Sequence, residues 1–441
     1  MPNQDAKQLL GWGRYPQLKH TVFTPDTPSQ LHAYLSQSKN PRTIAFGNGR
    51  SYGDSALSDC IIDCRQAQNY FIEFDQHEGT LSCQAGVTLD DILTVIVPKG
   101  WFLPVTPGTR FITLGGAIAA DVHGKNHHLA GCLSQYITEL KLMLADGTEV
   151  TCHEQHNTDL FRATCGGMGL TGIILSATIK LTPIGSTQIK QRTYKTRNLN
   201  ETFAVFEQNK SASYSVAWID CFAKDKKMGR SFVSFGEFTS GGEFKQAGKK
   251  ARTMPRWFPG FMLNSWSIKL FNTFYYHRQG PSVKHDTVHY EQFFYPLDSI
   301  QHWNRMYGRR GFIQYQFILP KTTSFEGLQT ILRTIADSGQ GSFLAVLKLH
   351  GKANKNWLSF PMEGYSLALD FKINDSLWPL LERLDQLVLT FQGRFYLAKD
   401  ARVSREVFEQ GYPNIEKFRQ YRQEHHMNQH FNSAQSLRIG L

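Results

Sequence analysis

The chain has no CxxC pair among its seven cysteines, and no cysteine beyond Cys221. That spacing supports neither a zinc ribbon nor a thioredoxin-type centre, so the thiols read as reduced and mostly buried. No run of about 18 apolar residues occurs, which excludes a transmembrane helix. The opening Met1–Lys7 lacks the basic-then-apolar layout of a secretory signal. The expected location is the cytoplasm, with the inner face of the plasma membrane as a surface to rest on. No arginine-and-aromatic strand motif of an RNA-binding sheet occurs, so no nucleic-acid partner is expected.

What the chain does have is bulk and aromatic content. Its 441 residues are 41% hydrophobic and include 31 phenylalanines, enough for two or three domains with their own cores. The net charge of +11 is diffuse. Its densest cluster is Lys245, Lys249, Lys250, Arg252 and Arg256, followed by Trp257, Phe258, Phe261 and Met262. Basic residues beside aromatics suit an anionic membrane surface or a nucleic acid, and a solvated loop has the same composition.

The stretch Phe46–Asp54 holds Gly47, Asn48, Gly49, Arg50, Ser51, Tyr52 and Gly53, directly after the apolar run Thr43–Phe46. Glycines let successive backbone N–H groups converge without Cβ clashes, as a phosphate cradle requires. The arginine adds forked donors and a fixed positive charge. The spacing is not the dinucleotide fingerprint and no amphipathic helix follows, which disfavours a Rossmann fold. Taken alone, the loop also reads as an ordinary tight turn.

Thr27–Gln30 is a capping box predicting a helix to about Ser38, and Thr88–Asp91 starts another that Pro98–Gly100 closes. Leu140–Leu144 and Glu149–Cys152 predict a hairpin about Asp146 and Gly147. Gly172–Leu181 is a β-rich run ending near Pro183. The first unit thus reads as α+β. Two aromatic-rich strands within 214–238 precede a long excursion, 239–285, expected to be mobile. The C-terminal part predicts a strand Phe312–Leu319, a helix capped by Thr323–Glu326 and running to Ser338, and strands Ser342–His350 and Tyr365–Lys372. A helix Leu377–Phe391 and a strand Arg394–Leu397 follow. This β-α-β-β-α-β order is that of a ferredoxin-like split unit, whose helices cover one face of an antiparallel sheet.

Alternation assigns the faces. Ile313, Tyr315, Phe317, Phe343, Ala345, Leu347, Tyr365, Leu367, Leu369 and Phe371 belong under the helices. Gln314, Gln316, Lys348, Ser366, Ala368 and Asp370 form a polar face that either roofs a site or meets water.

A second dense region runs from Gly108, Thr109 and Arg110 through Thr113, Leu114, Gly115, Gly116, Ala117, Ala120, Asp121, His123, Gly124, Lys125, Asn126, His127 and His128. Paired glycines opening a small-residue helix let a flat or charged ligand approach backbone. Adjacent histidines point apart and no carboxylate stands at ligand spacing, so no metal is expected. His123 reads as a substrate contact, an acid–base group or a structural histidine. A third glycine cluster, Gly166, Gly167, Gly169 and Gly172, could line the same ligand. Three such clusters and a polar sheet imply a long phosphate-containing cofactor between them.

These segments, with Gly11–Arg14, Trp303–Gly308, Ser359–Pro361 and Ala398–Arg402, resemble the vanillyl-alcohol-oxidase/p-cresol-methylhydroxylase flavoproteins over nearly the whole chain. The resemblance is strongest to the branch acting on polyprenyl-phosphoryl ribose. It implies FAD, its diphosphate on Gly47–Gly53 and its ring system near Gly115–Ala117, His123, Ile174 and Tyr396. It also implies an FAD-binding domain 1–185, a substrate domain 186–395, and a segment 396–441 returning to the first. Many relatives carry the flavin on a histidine where this chain has Tyr52, so non-covalent FAD is expected. Active-site roles fall on Lys399, His123, Tyr52, Gln316 and Asp370, and substrate contacts on Gln314, Lys348, Tyr295 and Ser366. Where the branch has a cysteine, this chain has Ala368. The implied activity is oxidation of the 2′-hydroxyl of a polyprenyl-phosphoryl pentose to a keto sugar, with a short-chain ketoreductase as partner. A soluble aldonolactone or alditol oxidase is the alternative.

Overall fold

The computed structural model describes residues 8–37, 40, 42–245, 252–255 and 263–441. Lys249, Lys250, Arg256, Trp257, Phe258, Phe261 and Met262 of the basic-aromatic cluster lie outside the described residues. No helix among the described residues is long and apolar enough to cross a membrane. All seven cysteines are buried and free.

The N-terminal part is built on two small sheets. A parallel one joins Thr21–Phe23, Cys60–Asp63 and Thr43–Phe46. An antiparallel one runs in the order 71–75, 80–84, 173–180, 137–143, 149–152. The predicted hairpin is its edge: the Gly147 N–H donates to the Leu144 carbonyl at 3.0 Å, and Gly147 has φ +86°. Leu89–Ile96 carries the full capping box of Thr88 and Asp91. At Pro28–Gln37 only half of the box forms, because the Gln30 side chain accepts from the Asp26 N–H instead.

The C-terminal part is one eight-stranded antiparallel sheet, ordered 283–289, 188–196, 231–238, 214–219, 345–350, 364–372, 312–320, 394–395. Its second half has the strand order of the split unit anticipated from sequence. The first half repeats that order, and the two meet edge to edge where Ala217 pairs with Leu347 and Trp218 with Val346. Beneath the sheet, Ser324–Ser338 buries Leu328, Ile331, Leu332 and Ile335, while Leu377–Thr390 buries Leu380, Leu381, Leu384 and Val388. Each such aliphatic side chain contributes about 1.5–3 kcal/mol of burial. The 324–338 helix has no capping box, since the Thr323 hydroxyl donates to the Phe391 carbonyl at 2.8 Å.

Three differences from expectation bear on the site. The strand at 345–350 starts three residues late because the Ser342 hydroxyl donates to the Leu344 carbonyl and accepts the Leu344 and Asp370 N–H groups. Phe343 therefore escapes the alternation and lines the cavity, its ring 6.0 Å from Tyr307. The last strand ends at Phe395, and Tyr396 and Leu397 turn back toward the N-terminal part. The excursion 239–285 contains a 13-residue helix, Ser265–His277, capped by Asn264. It packs on the sheet face opposite the other helices, with Tyr275 4.8 Å from the Trp218 ring.

Gly53 allows the loop after the 43–46 strand to pack directly on the backbone at Asp400 and Ala401. A Cβ there would sit 1.9 Å from the Asp400 carbonyl oxygen, which is backbone and cannot yield. Gly53→Ala is expected to cost about 1–3 kcal/mol. A thermal midpoint equal to that of the parent protein would contradict this packing.

Candidate active site

The polar face of the large sheet and the glycine loops of the N-terminal part enclose one cavity of about 910 Å³. Pairing of Gln314 with Asp370, Gln316 with Ala368 and Lys348 with Ser366 puts these positions on the cavity side of the sheet. Antiparallel partners share a face, so the register alone aligns them.

One end of the cavity is a cradle. Gly47, Asn48, Gly49, Arg50 and Ser51 line it, joined by Gly108, Thr109, Thr113, Gly115, Gly116 and Ala120. Asn48 Nδ2 donates to the Phe111 carbonyl at 2.7 Å and pins the loop. A Cβ at Gly47 would meet Thr113 Oγ1 at 2.5 Å, so the approach to the 114–119 helix requires glycine. Arg50 stacks on Trp12 at 4.2 Å, and burial lowers its pKa. Backbone donors beside a guanidinium fit the diphosphate of a dinucleotide.

The other end is reactive. Lys399 Nζ lies 3.9 Å above the Tyr52 ring. Burial brings Lys399 down to about 7, with Asp370 opposing and Lys348 assisting. Lys348 falls to about 8, and Lys125 to about 7, for the same reason. Asp370 is pushed up to about 7 by burial, while Gln314 donates to it at 2.6 Å. His123 stands 3.3 Å from Gln316 Nε2, and its own Nδ1 is buried without a partner. When that amide donates, a neutral His123 keeps its proton on Nδ1. His350 Nε2 lies 2.8 Å from the Ser366 hydroxyl.

Ile174 and Tyr396 also line the cavity, but several anticipated positions do not. Leu114 and Ala117 are core residues of their helix. Asp121 turns away to accept from Asn354 (2.7 Å), Asn356 (2.9 Å) and Ser359 (2.6 Å). Gly124 packs on Thr106, Asn126 donates to the Pro104 carbonyl, and Gly53 is held by Asp400. The buried Tyr295 hydroxyl bonds Thr106 at 2.6 Å, behind the wall, and Asp370 sits behind Gln314. Of the third glycine cluster, Gly169 and Gly172 reach the cavity, whereas Gly166 and Gly167 back onto Ser359 and Ala163.

Sequence reading gave no role to Lys125, whose Nζ donates to the Phe293 carbonyl, although it stands between two chosen residues. It also missed Val216, Trp218, Phe232, Ser234 and Val346, which extend the cavity along the sheet. Alternation in 214–219 carried the signal, but which face met the site depended on pairing with 345–350.

The FAD binding domain family matches residues 20–153, the part that carries the cradle. The chain belongs to the FAD-linked oxidoreductases of the p-cresol-methylhydroxylase type, enzymes that oxidise CH–OH groups. It is 36% identical to decaprenylphosphoryl-beta-D-ribose oxidase of Mycolicibacterium smegmatis, over 94% of this chain and 93% of that one. An uncharacterized protein of Streptomyces coelicolor is 30% identical over 80% of this chain and all of its own length. L-gulonolactone oxidase of Mus musculus is 29% identical over 40% of each chain.

His123, His127 and His350 are buried within 4.7–6.3 Å of one another, ring to ring. Burial lowers all three, His127 from 6.5 to about 3. The unfolded chain therefore binds protons that the native protein does not, and stability falls as pH drops below about 6.5. Each histidine contributes a slope of up to about 1.4 kcal/mol per pH unit. Thermal melts from pH 7.5 to 5 should show this decline, and His127→Gln should flatten it. A pH-independent midpoint would contradict neutral burial.

Proposed function

We propose that the protein oxidises a secondary hydroxyl of a pentose carried on a polyprenyl phosphate, the 2′-hydroxyl of a ribose unit, to the keto sugar. The observation that carries this reading is the shape of the cavity beyond Lys348. It continues along the sheet into a corridor whose apolar lining is Val216, Trp218, Phe232, Phe271 and Val346, with Gln191, Thr193 and Ser234 as its polar members. A free lactone has nothing to place there, whereas a phosphate on Lys348 with an isoprenoid beyond it uses both charge and corridor. The near full-length similarity to an oxidase whose name specifies such a substrate supports the reading. The gulonolactone oxidases match only 40% of the chain. The class of reaction that must consume the product is a ketone reduction, which a short-chain ketoreductase supplies.

Bound FAD supplies the hydride acceptor. Gln314 and Gln316 hold sugar hydroxyls. With Gln316 occupying Nε2, His123 is a donor through Nδ1 and not the base. Lys399, neutral above about pH 7, takes the hydroxyl proton, and Tyr52 packs beneath it. Asp370, behind Gln314, fixes that amide and tempers the lysine. Lys348, protonated below about pH 8, holds the phosphate as a point charge, and the phosphate's own charge restores that of Lys125 beside it.

We also propose that FAD is held without a covalent bond. Tyr52 cannot form the histidyl link, and Cys132 is buried against Ser359 at 3.8 Å. The division 1–185, 186–395 and 396–441 belongs to the same proposal. In its support, the Tyr52 N–H donates to the Ala398 carbonyl at 3.0 Å, and Arg438 bridges Asp54 and Asp400.

Anaerobic flavin bleaching by a short-chain polyprenyl-phosphoryl ribose tests the function; bleaching by a free aldonolactone alone would favour the soluble-sugar reading. The rate should rise with pH through about 7, because the base acts deprotonated. Lys399→Ala should keep FAD yet lose bleaching by on the order of 10²-fold or more. Turnover retained in that variant removes Lys399 from catalysis. Acid precipitation should release the yellow colour to the supernatant, and colour in the pellet would show a covalent link.

A further inference from the structure

The helix Ser265–His277 presents Trp266, Leu270 and Phe274 outward, exposed at 73%, 56% and 71%. Residues four apart fall on one stripe of a helix. A row of large exposed apolar side chains marks a contact surface. The helix contains no acidic residue, while Lys269 is exposed beside the stripe and Arg278 is exposed at its end. Its inner side faces the site: Phe271 and Tyr275 line the cavity, and Phe271 is also exposed at its mouth. The apolar stripe is therefore continuous with the entrance to the corridor.

A tryptophan near the helix start, an apolar stripe, flanking cations and no carboxylate compose a helix that lies in a headgroup plane. We infer that this face docks on an anionic lipid bilayer and sets the cavity mouth against the headgroups. A lipid-linked substrate then enters the corridor without its chain crossing water, an inference that rests on the proposed substrate class. Apolar burial supplies the affinity and Lys269 and Arg278 the preference for anionic lipid, so binding weakens as salt rises.

The test is co-sedimentation of the flavin-loaded protein with phosphatidylcholine vesicles, with and without phosphatidylglycerol. Binding is expected on the anionic vesicles. Trp266→Ser and Phe274→Ser should each lower partitioning on the order of tenfold. Ile72→Ser, also exposed but on the edge strand 71–75 of the N-terminal sheet, should leave it unchanged. Flavin bleaching by a short-chain, water-dispersed substrate is measured on the same variants. If it fails in all of them, the substrate reading falls while vesicle binding is judged separately. Absence of vesicle binding, binding unaffected by the two helix exchanges, or a solution dimer that those exchanges dissociate would overturn the inference.

Discussion

The site depends on the register between the strands 312–320 and 364–372. Nine consecutive pairs, from Phe312 with Lys372 to Pro320 with Gly364, fix it. Side chains alternate with a period of two, so a slip of one residue would exchange the two faces. Gln314 and Gln316 would then turn onto the helices, and Tyr315 and Phe317 into the cavity. The helices prevent this. Leu328, Ile331 and Leu332 beneath the sheet belong to the same core as Ile313, Phe317, Leu367 and Leu369. Packing on one side of the sheet thus holds the polar groups in place on the other.

Enclosure then sets the chemistry. Three lysines, Lys125, Lys348 and Lys399, line the cavity between the N-terminal part and the sheet. Burial penalises their charge and brings two of them to about neutrality. The carboxylate that acts on Lys399, Asp370, is itself driven up to about 7 and is shared with Gln314. The lysine end of the cavity is therefore short of negative charge. It favours a substrate that brings an anion and a base that is neutral at physiological pH.

Much of this was legible in the chain. The cradle at Gly47–Ser51, the small-residue helix after Thr113 and the polar positions 314, 316, 348 and 366 follow from local rules of backbone freedom and alternation. Their physical basis lies within a few residues, so sequence carries it. The strand order of the second half of the large sheet was legible for the same reason. Phe343 was misplaced because Ser342 breaks the strand with its own hydroxyl, a contact that alternation does not see. Asp121 was assigned by its position in a motif and Tyr295 by family resemblance, and their side chains found partners behind the cavity wall.

The sequence by itself determined the glycine-rich loops, the helix-covered sheet and the composition of its polar face, because each depends on short-range periodicity or on backbone freedom, while the flavin came from the resemblance to known flavoproteins. Tertiary structure alone decided that a second split unit joins through Trp218 and Val346, that Lys125 turns inward, and that the 265–277 helix crosses the site side of the sheet. Those outcomes rest on contacts between segments distant in the chain, where many partners are locally equivalent and only the packed core selects one.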